Sequence, residues 1–78
     1  VELKPHRSIR ISGVGCLSPV EVNRAIREVP IGGILEILSN DPCSKDDIKV
    51  WARYTGNELV LVDYAGDGWY RFLIRRRR

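Results

Sequence analysis

The chain has 78 residues, of which 44% are hydrophobic and 29% charged. That is enough for one small packed domain and too apolar for wholesale disorder. A multi-domain enzyme with its own cofactor-binding domain is excluded, as is a multi-pass membrane protein, because no apolar run approaches the ~20 residues that a span needs. The formal net charge is +3, but Arg75, Arg76, Arg77 and Arg78 account for all of it, and without them the acidic residues outnumber the basic ones by one. The body is close to neutral, and the basicity reads as a tail at residues 75–78. Such a tail is either a solvated terminus or a contact for nucleic acid or an acidic partner.

The first ten residues are polar and contain no apolar signal core. Two cysteines, Cys16 and Cys43, are too few for a disulfide scaffold. A cytoplasmic location with reduced thiols is therefore expected. Cys16, Cys43 and the single histidine, His6, are irregularly spaced and fall short of the four ligands of a structural zinc site. No metal and no cofactor are expected.

In chain order, residues 7–12 alternate polar and apolar, with Ile9 and Ile11 on one face, and predict a half-buried strand. Gly13 and Gly15 break it. Ser18 is a good N-cap, Pro19 suits the first helical position, and Glu21 completes a capping box. Leu17 and Val22 occupy the positions of a hydrophobic staple. The stripe Val22, Ala25, Ile26, Val29 follows helical spacing until Pro30. Ile34 to Leu38 is apolar on both faces except at Glu36, which predicts a central strand. Ser44 opens a second helix with Asp46 and Asp47 in its first turn, the stripe Ile48, Trp51, Ala52, Thr55, and Gly56 placed to end it. Leu59 to Val62 predicts a third strand, residues 65–68 a turn, and Trp69 to Arg75 a fourth strand with Tyr70, Phe72 and Ile74 on one face.

The order βαβαββ with right-handed crossovers puts both helices on one side of a single sheet. The expected fold is α+β, a two-layer sandwich whose other sheet face is partly open and carries Trp69 or its strand-mates.

Cys16 follows the first strand in a loop bounded by glycines and directly precedes a helix start. Free N–H groups and the helix dipole stabilise a thiolate at such a place, where a thiol pKa falls from about 8.5 to roughly 3.5–7.5. The competing role is that of a small buried hydrophobe. Cys43 has a similar setting before Ser44, at the same edge of the domain. It either packs towards Ile48 or lies close enough to Cys16 to exchange or share sulfur with it. His6 and Arg7 fall at the opposite end of the first strand, which argues against a Cys–His pair.

Residues 13–20, Gly-Val-Gly-Cys-Leu-Ser-Pro-Val, resemble the G-x-x-C-P-x-P-V signature of the TusA-like (SirA/YedF-like) sulfur carriers. The similarity runs on through Pro30-Ile31-Gly32-Gly33, Asn40-Asp41-Pro42, Asp47-Ile48, Trp51, Thr55 to Leu59 and Tyr70 to Arg75. The resemblance implies a four-stranded mixed sheet in the order 1-2-4-3 and a single carrier domain over 1–78. It also implies a persulfide on Cys16, with Gly13, Gly15, Ser18 and Pro19 supporting it. The implied partners are a sulfur donor, such as a cysteine desulfurase or rhodanese-like protein, and an acceptor in tRNA thiolation, cofactor biosynthesis or sulfur metabolism. The chain would be a relay rather than a stand-alone enzyme, and a monomer. Leu17 stands where the signature has its first proline, and Gly15 where a basic residue is often found. This departure bears on transfer efficiency and leaves the fold untouched. The fold also resembles the C-terminal domain of a bacterial translation initiation factor. The alternative is therefore a non-catalytic binding or regulatory module contacting RNA or an acidic protein through Arg75–Arg78.

Overall fold

The computed structural model describes residues 4–11, 19–40 and 44–78, apart from the side chains of Pro19 and Ser44. Six elements follow in the order β1 (Arg7–Ile11), α1 (Pro19–Arg27), β2 (Ile34–Ser39), α2 (Ser44–Thr55), β3 (Glu58–Gly66) and β4 (Trp69–Arg75). The sheet order is β1-β2-β4-β3. β1 runs parallel to β2, while β4 is antiparallel to both of its neighbours.

Burial follows the periodicities. Val22, Ala25, Ile26 and Val29 of α1 and Ile48, Trp51 and Ala52 of α2 are buried against Leu35, Ile37, Phe72 and Ile74 of the two central strands. Ile9, Ile11, Leu59 and Tyr70 close the margins of this core. A fully buried Phe, Leu or Ile contributes roughly 1.5–3 kcal/mol. The two helical stripes pressed on one sheet face are therefore the main stabilising feature. The expected βαβαββ sandwich with helices on one side is what the chain adopts.

The other sheet face is ionic around a small apolar patch. Ser8 Oγ donates to Glu36 Oε1 at 2.7 Å. Arg71 approaches Glu36 at 3.9 Å and Asp63 at 3.6 Å. Ile34 and Leu73 are nonetheless buried there. As expected, Trp69 lies on this face, with the Arg10 guanidinium 5.0 Å from its ring centroid.

Two features differ from the sequence expectation. β3 extends to Gly66 rather than stopping at Val62. Asp67 and Gly68 both adopt positive φ, 54° and 83°, the combination of a two-residue type I′ turn, so pairing runs up to Gly66 and Trp69.

The second difference concerns the four arginines, which are bonded to the body rather than forming a detached tail, although Arg77 and Arg78 stay exposed. Arg75 closes β4 opposite Ile34 and Glu58. The Arg76 N–H donates to the Gly33 carbonyl at 2.9 Å, and its own carbonyl accepts from Gly32 at 2.7 Å. The Arg76 Nη1 donates to the carbonyls of Val29 at 2.7 Å and Arg27 at 3.4 Å. A guanidinium there satisfies orphan carbonyls and complements the negative end of the α1 dipole. Arg77 donates from its backbone to Asn57 Oδ1 and from its side chain to Glu58, both at 2.8 Å. Arg78 lies so close to Gly56 (φ 76°) that a Cβ there would sit 2.8 Å from its Nε. The backbone pairing of residue 76 places these side chains, and periodicity does not reveal it.

Arg76→Ala is expected to lower stability by about 1–2 kcal/mol, because a charge-assisted bond and the helix-end complement are lost together. Arg77→Ala, which loses an exposed ion pair, should cost about 0.5 kcal/mol or less. Urea denaturation of the two variants measures the difference.

Candidate functional site

The topology gathers four chain ends at one edge of the sandwich. Because α1 and α2 each return antiparallel to the strand before them, their N-termini lie at the carboxyl ends of β1 and β2. Ile11 and Ser39, the last residues of those two strands, are partners in register. The segment 12–18, which holds Gly13, Gly15, Cys16, Leu17 and Ser18, joins Ile11 to α1. The segment 41–43, which holds Cys43, leads into α2. Both segments lie outside the described residues, and so do the predicted capping box, the staple contact and the pairing of Cys16 with Cys43. Pro19 is the first residue of α1, as predicted.

At this edge a row crosses all four strands: Ile11, Ser39, Tyr70 and Tyr64. Ser39 is fully buried. Tyr70 meets Tyr64 edge to face at a centroid distance of 5.6 Å. The Tyr64 hydroxyl accepts from Gly68 N–H at 2.9 Å, which ties the β3–β4 turn to the row. Lys45, in the first turn of α2, places its ammonium 4.6 Å from the Tyr70 ring centroid.

Sequence reasoning singled out neither Lys45 nor Tyr70 for this site. The signal was present in Tyr70 leading β4 and Lys45 following the cap, but only the register shows that the two meet. The two helices are also tied to each other, because the Trp51 indole N–H donates to Asn23 Oδ1 at 2.8 Å, bridging α2 to the middle of α1.

His6 belongs to the far end. Its N–H donates to the Ile34 carbonyl at 2.8 Å and its Nδ1 accepts from Ile34 N–H at 3.3 Å. Five residues of strand, about 16 Å, separate it from Ile11. The expectation that His6 stands apart from the thiol edge agrees with this placement. Among the described residues no cluster of His, Cys, Asp and Glu is arranged to hold a metal, and no helix is long and apolar enough to cross a membrane.

Comparison with known proteins bears directly on this edge. Residues 7–76 match the sequence profile of the family described as Sulfurtransferase TusA. A protein of Archaeoglobus fulgidus, named as a candidate sulfur carrier, is 38% identical over 64 residues, covering 81% of this chain and 83% of its own. Sulfur carrier protein TusA of Pseudomonas savastanoi pv. phaseolicola is 32% identical over 66 residues, covering 83% of this chain and 77% of its own. The protein of the same name from Pseudomonas putida is 27% identical over 77 residues, covering 97% and 95%.

Asn23→Ala should remove the bridge between the helices and leave the largely buried Trp51 N–H without its acceptor, at a cost of about 1–2 kcal/mol. The expected signature is a shifted indole N–H resonance together with a lower urea midpoint. An unmoved indole resonance would contradict the bridge.

Proposed function

Because the chain belongs to the TusA sulfurtransferase family, we propose that it is a sulfur carrier that holds sulfane sulfur as a persulfide on Cys16. The observation that carries this reading is the family match over residues 7–76, which takes in the segment holding Cys16. The fold adds a physical reason. That segment ends at the N-terminus of α1, where unpaired N–H groups and the dipole favour an anion. A thiolate held there is the reactive form.

The relay needs no cofactor and no net oxidant. The Cys16 thiolate attacks the terminal sulfur of a donor persulfide, the donor's S–S bond breaks, and the donor cysteine leaves as a thiolate. An acceptor thiolate then attacks the terminal sulfur of Cys16–S–SH in the same way and regenerates the Cys16 thiolate. Family membership implies one donor and one acceptor protein in general terms. A cysteine desulfurase or rhodanese-like donor fits the first step. An acceptor in tRNA thiolation, cofactor biosynthesis or sulfur metabolism fits the second. In this reading residues 1–78 act as one monomeric carrier domain in the reducing cytoplasm, and Gly13, Gly15, Ser18 and Pro19 shape the Cys16 loop and helix start. Cys43 is the second thiol at the same edge. Its thiolate would displace hydrosulfide from loaded Cys16 and leave a Cys16–Cys43 disulfide.

The alternative, a binding module working through Arg75–Arg78, is disfavoured by the intramolecular use of those arginines. Arg75 and Arg77 face Glu58 at 3.8 and 2.8 Å, and Arg76 caps α1.

Intact-mass analysis after incubation with polysulfide tests the proposal. The wild-type chain should gain one sulfur atom that maps to Cys16, and Cys16→Ser should gain none while keeping its circular dichroism spectrum. Cys43→Ser should load normally and hold its sulfur longer than wild type. Undiminished loading of Cys16→Ser would overturn the assignment.

A further inference from the structure

A second surface lies on the opposite flank of the sandwich from β1, where β3 forms the sheet edge beside α2. Among the described residues β3 pairs only with β4, which leaves alternate N–H and C=O groups along its outer side for another strand. Between α2 and this strand runs an open cleft of about 390 Å³, lined by Lys49, Val50, Ala52, Arg53, Asn57 and Leu59. The lining carries two cations and no carboxylate, and among the described residues neither Lys49 nor Arg53 forms an ion pair. Apolar side chains here are bare: Val50, which lines the cleft, is 66% exposed, and Val62, on the same face of β3 as Leu59, is 43% exposed. The corresponding cleft beside β1, of about 330 Å³, differs in kind. It holds Glu21 and Glu28 among its arginines, and Arg7 is already engaged by Glu28 at 3.0 Å.

From the free edge, the carboxylate-free cationic cleft and the bare apolar rim together, the geometry points to β3 and α2 as a docking groove for an extended acidic segment of a partner protein, added to the sheet as a fifth strand. Main-chain bonds to β3 would supply affinity. Alternate side chains of the added strand would face the cleft, where carboxylates meet Lys49 and Arg53 and apolar groups cover Val50 and Val62. Register shifts flank the stretch from Leu61 to Tyr64, and such irregularities guard an edge against indiscriminate pairing. A second copy of this chain is a poorer occupant, because symmetric pairing of two β3 strands would bring two Lys49–Arg53 rows to the same seam. The inference does not depend on the sulfur chemistry of Cys16.

Amide NMR of the full chain tests it, using a short blocked peptide of valine, threonine and glutamate. Saturable shifts confined to β3 and the exposed side of α2, with new protection of outward β3 amides, are expected. The Lys49→Glu/Arg53→Glu variant alters exposed positions, and should keep its unperturbed spectrum and weaken binding about tenfold. Cys16→Ser should bind like wild type, so failure of the carrier reading and failure of this one are separable. The same peptide with lysine for glutamate should bind far more weakly. The proposal is overturned by no shift at millimolar peptide, by shifts centred on β1, or by equal binding of the lysine peptide. It is also overturned by stronger binding of oligouridylate at the same residues, or by peptide-independent dimerisation through β3.

Discussion

The packing of two helical stripes onto one face of β2 and β4 is the constraint on which everything else rests. Leu35, Ile37, Phe72 and Ile74 are fully buried under Val22, Val29 and Ile48, and a domain this small has little other apolar burial to draw on. The same packing sets where the helices begin. Seating α1 and α2 on this face brings their N-termini to the carboxyl ends of the parallel pair, and the Ile11–Ser39 register keeps those ends level. A change in the angle of either helix would move its N-terminus away from the carboxyl ends of β1 and β2. The Trp51–Asn23 bond, partly buried between the two helices, acts on that angle.

Charge is divided between the two ends. Lys4, Arg7, Arg27, Arg53 and Arg75–Arg78 belong to the end where β1 and β2 begin and both helices finish. There Arg76 caps α1, Arg7 pairs with Glu28, and Arg75 and Arg77 pair with Glu58. The opposite edge has Asp46, Asp47 and Glu21 in the first helical turns. Among the described residues, Lys45 and Arg10 are cations near this edge, and the helix N-termini add the positive ends of their dipoles. The arginines stabilise the fold at one end while the sulfur chemistry is assigned to the other, so substitutions in the two sets are expected to act independently.

Where local pattern decides structure, the sequence was legible. Helical spacing from Val22 to Val29, the doubly apolar run at Ile34 to Leu38, and Gly56 at the end of α2, where φ is 76°, all led to the observed elements. The family resemblance implied the strand order. Pairing and register were less visible. The Asp67–Gly68 turn lengthens β3 by letting Gly66 meet Trp69. Arg76 becomes a helix cap only because its backbone pairs with residues 32 and 33. The stacking of Arg10 on Trp69 and of Lys45 on Tyr70 joins residues far apart in the chain. Cys16 is legible in a different way: a loop has no periodicity, so only its motif and the neighbouring helix start mark it. The described residues supply the strand end before it and the helix after it.

Cyanide titration of sulfur-loaded protein is the most direct measurement of the central claim, because cyanide removes sulfane sulfur as thiocyanate and leaves ordinary thiols untouched. The account predicts one equivalent of thiocyanate per chain from the wild type, none from Cys16→Ser, and full recovery of the Cys16 thiol afterwards. Thiocyanate released in equal amount by Cys16→Ser, or none from loaded wild type, would contradict it.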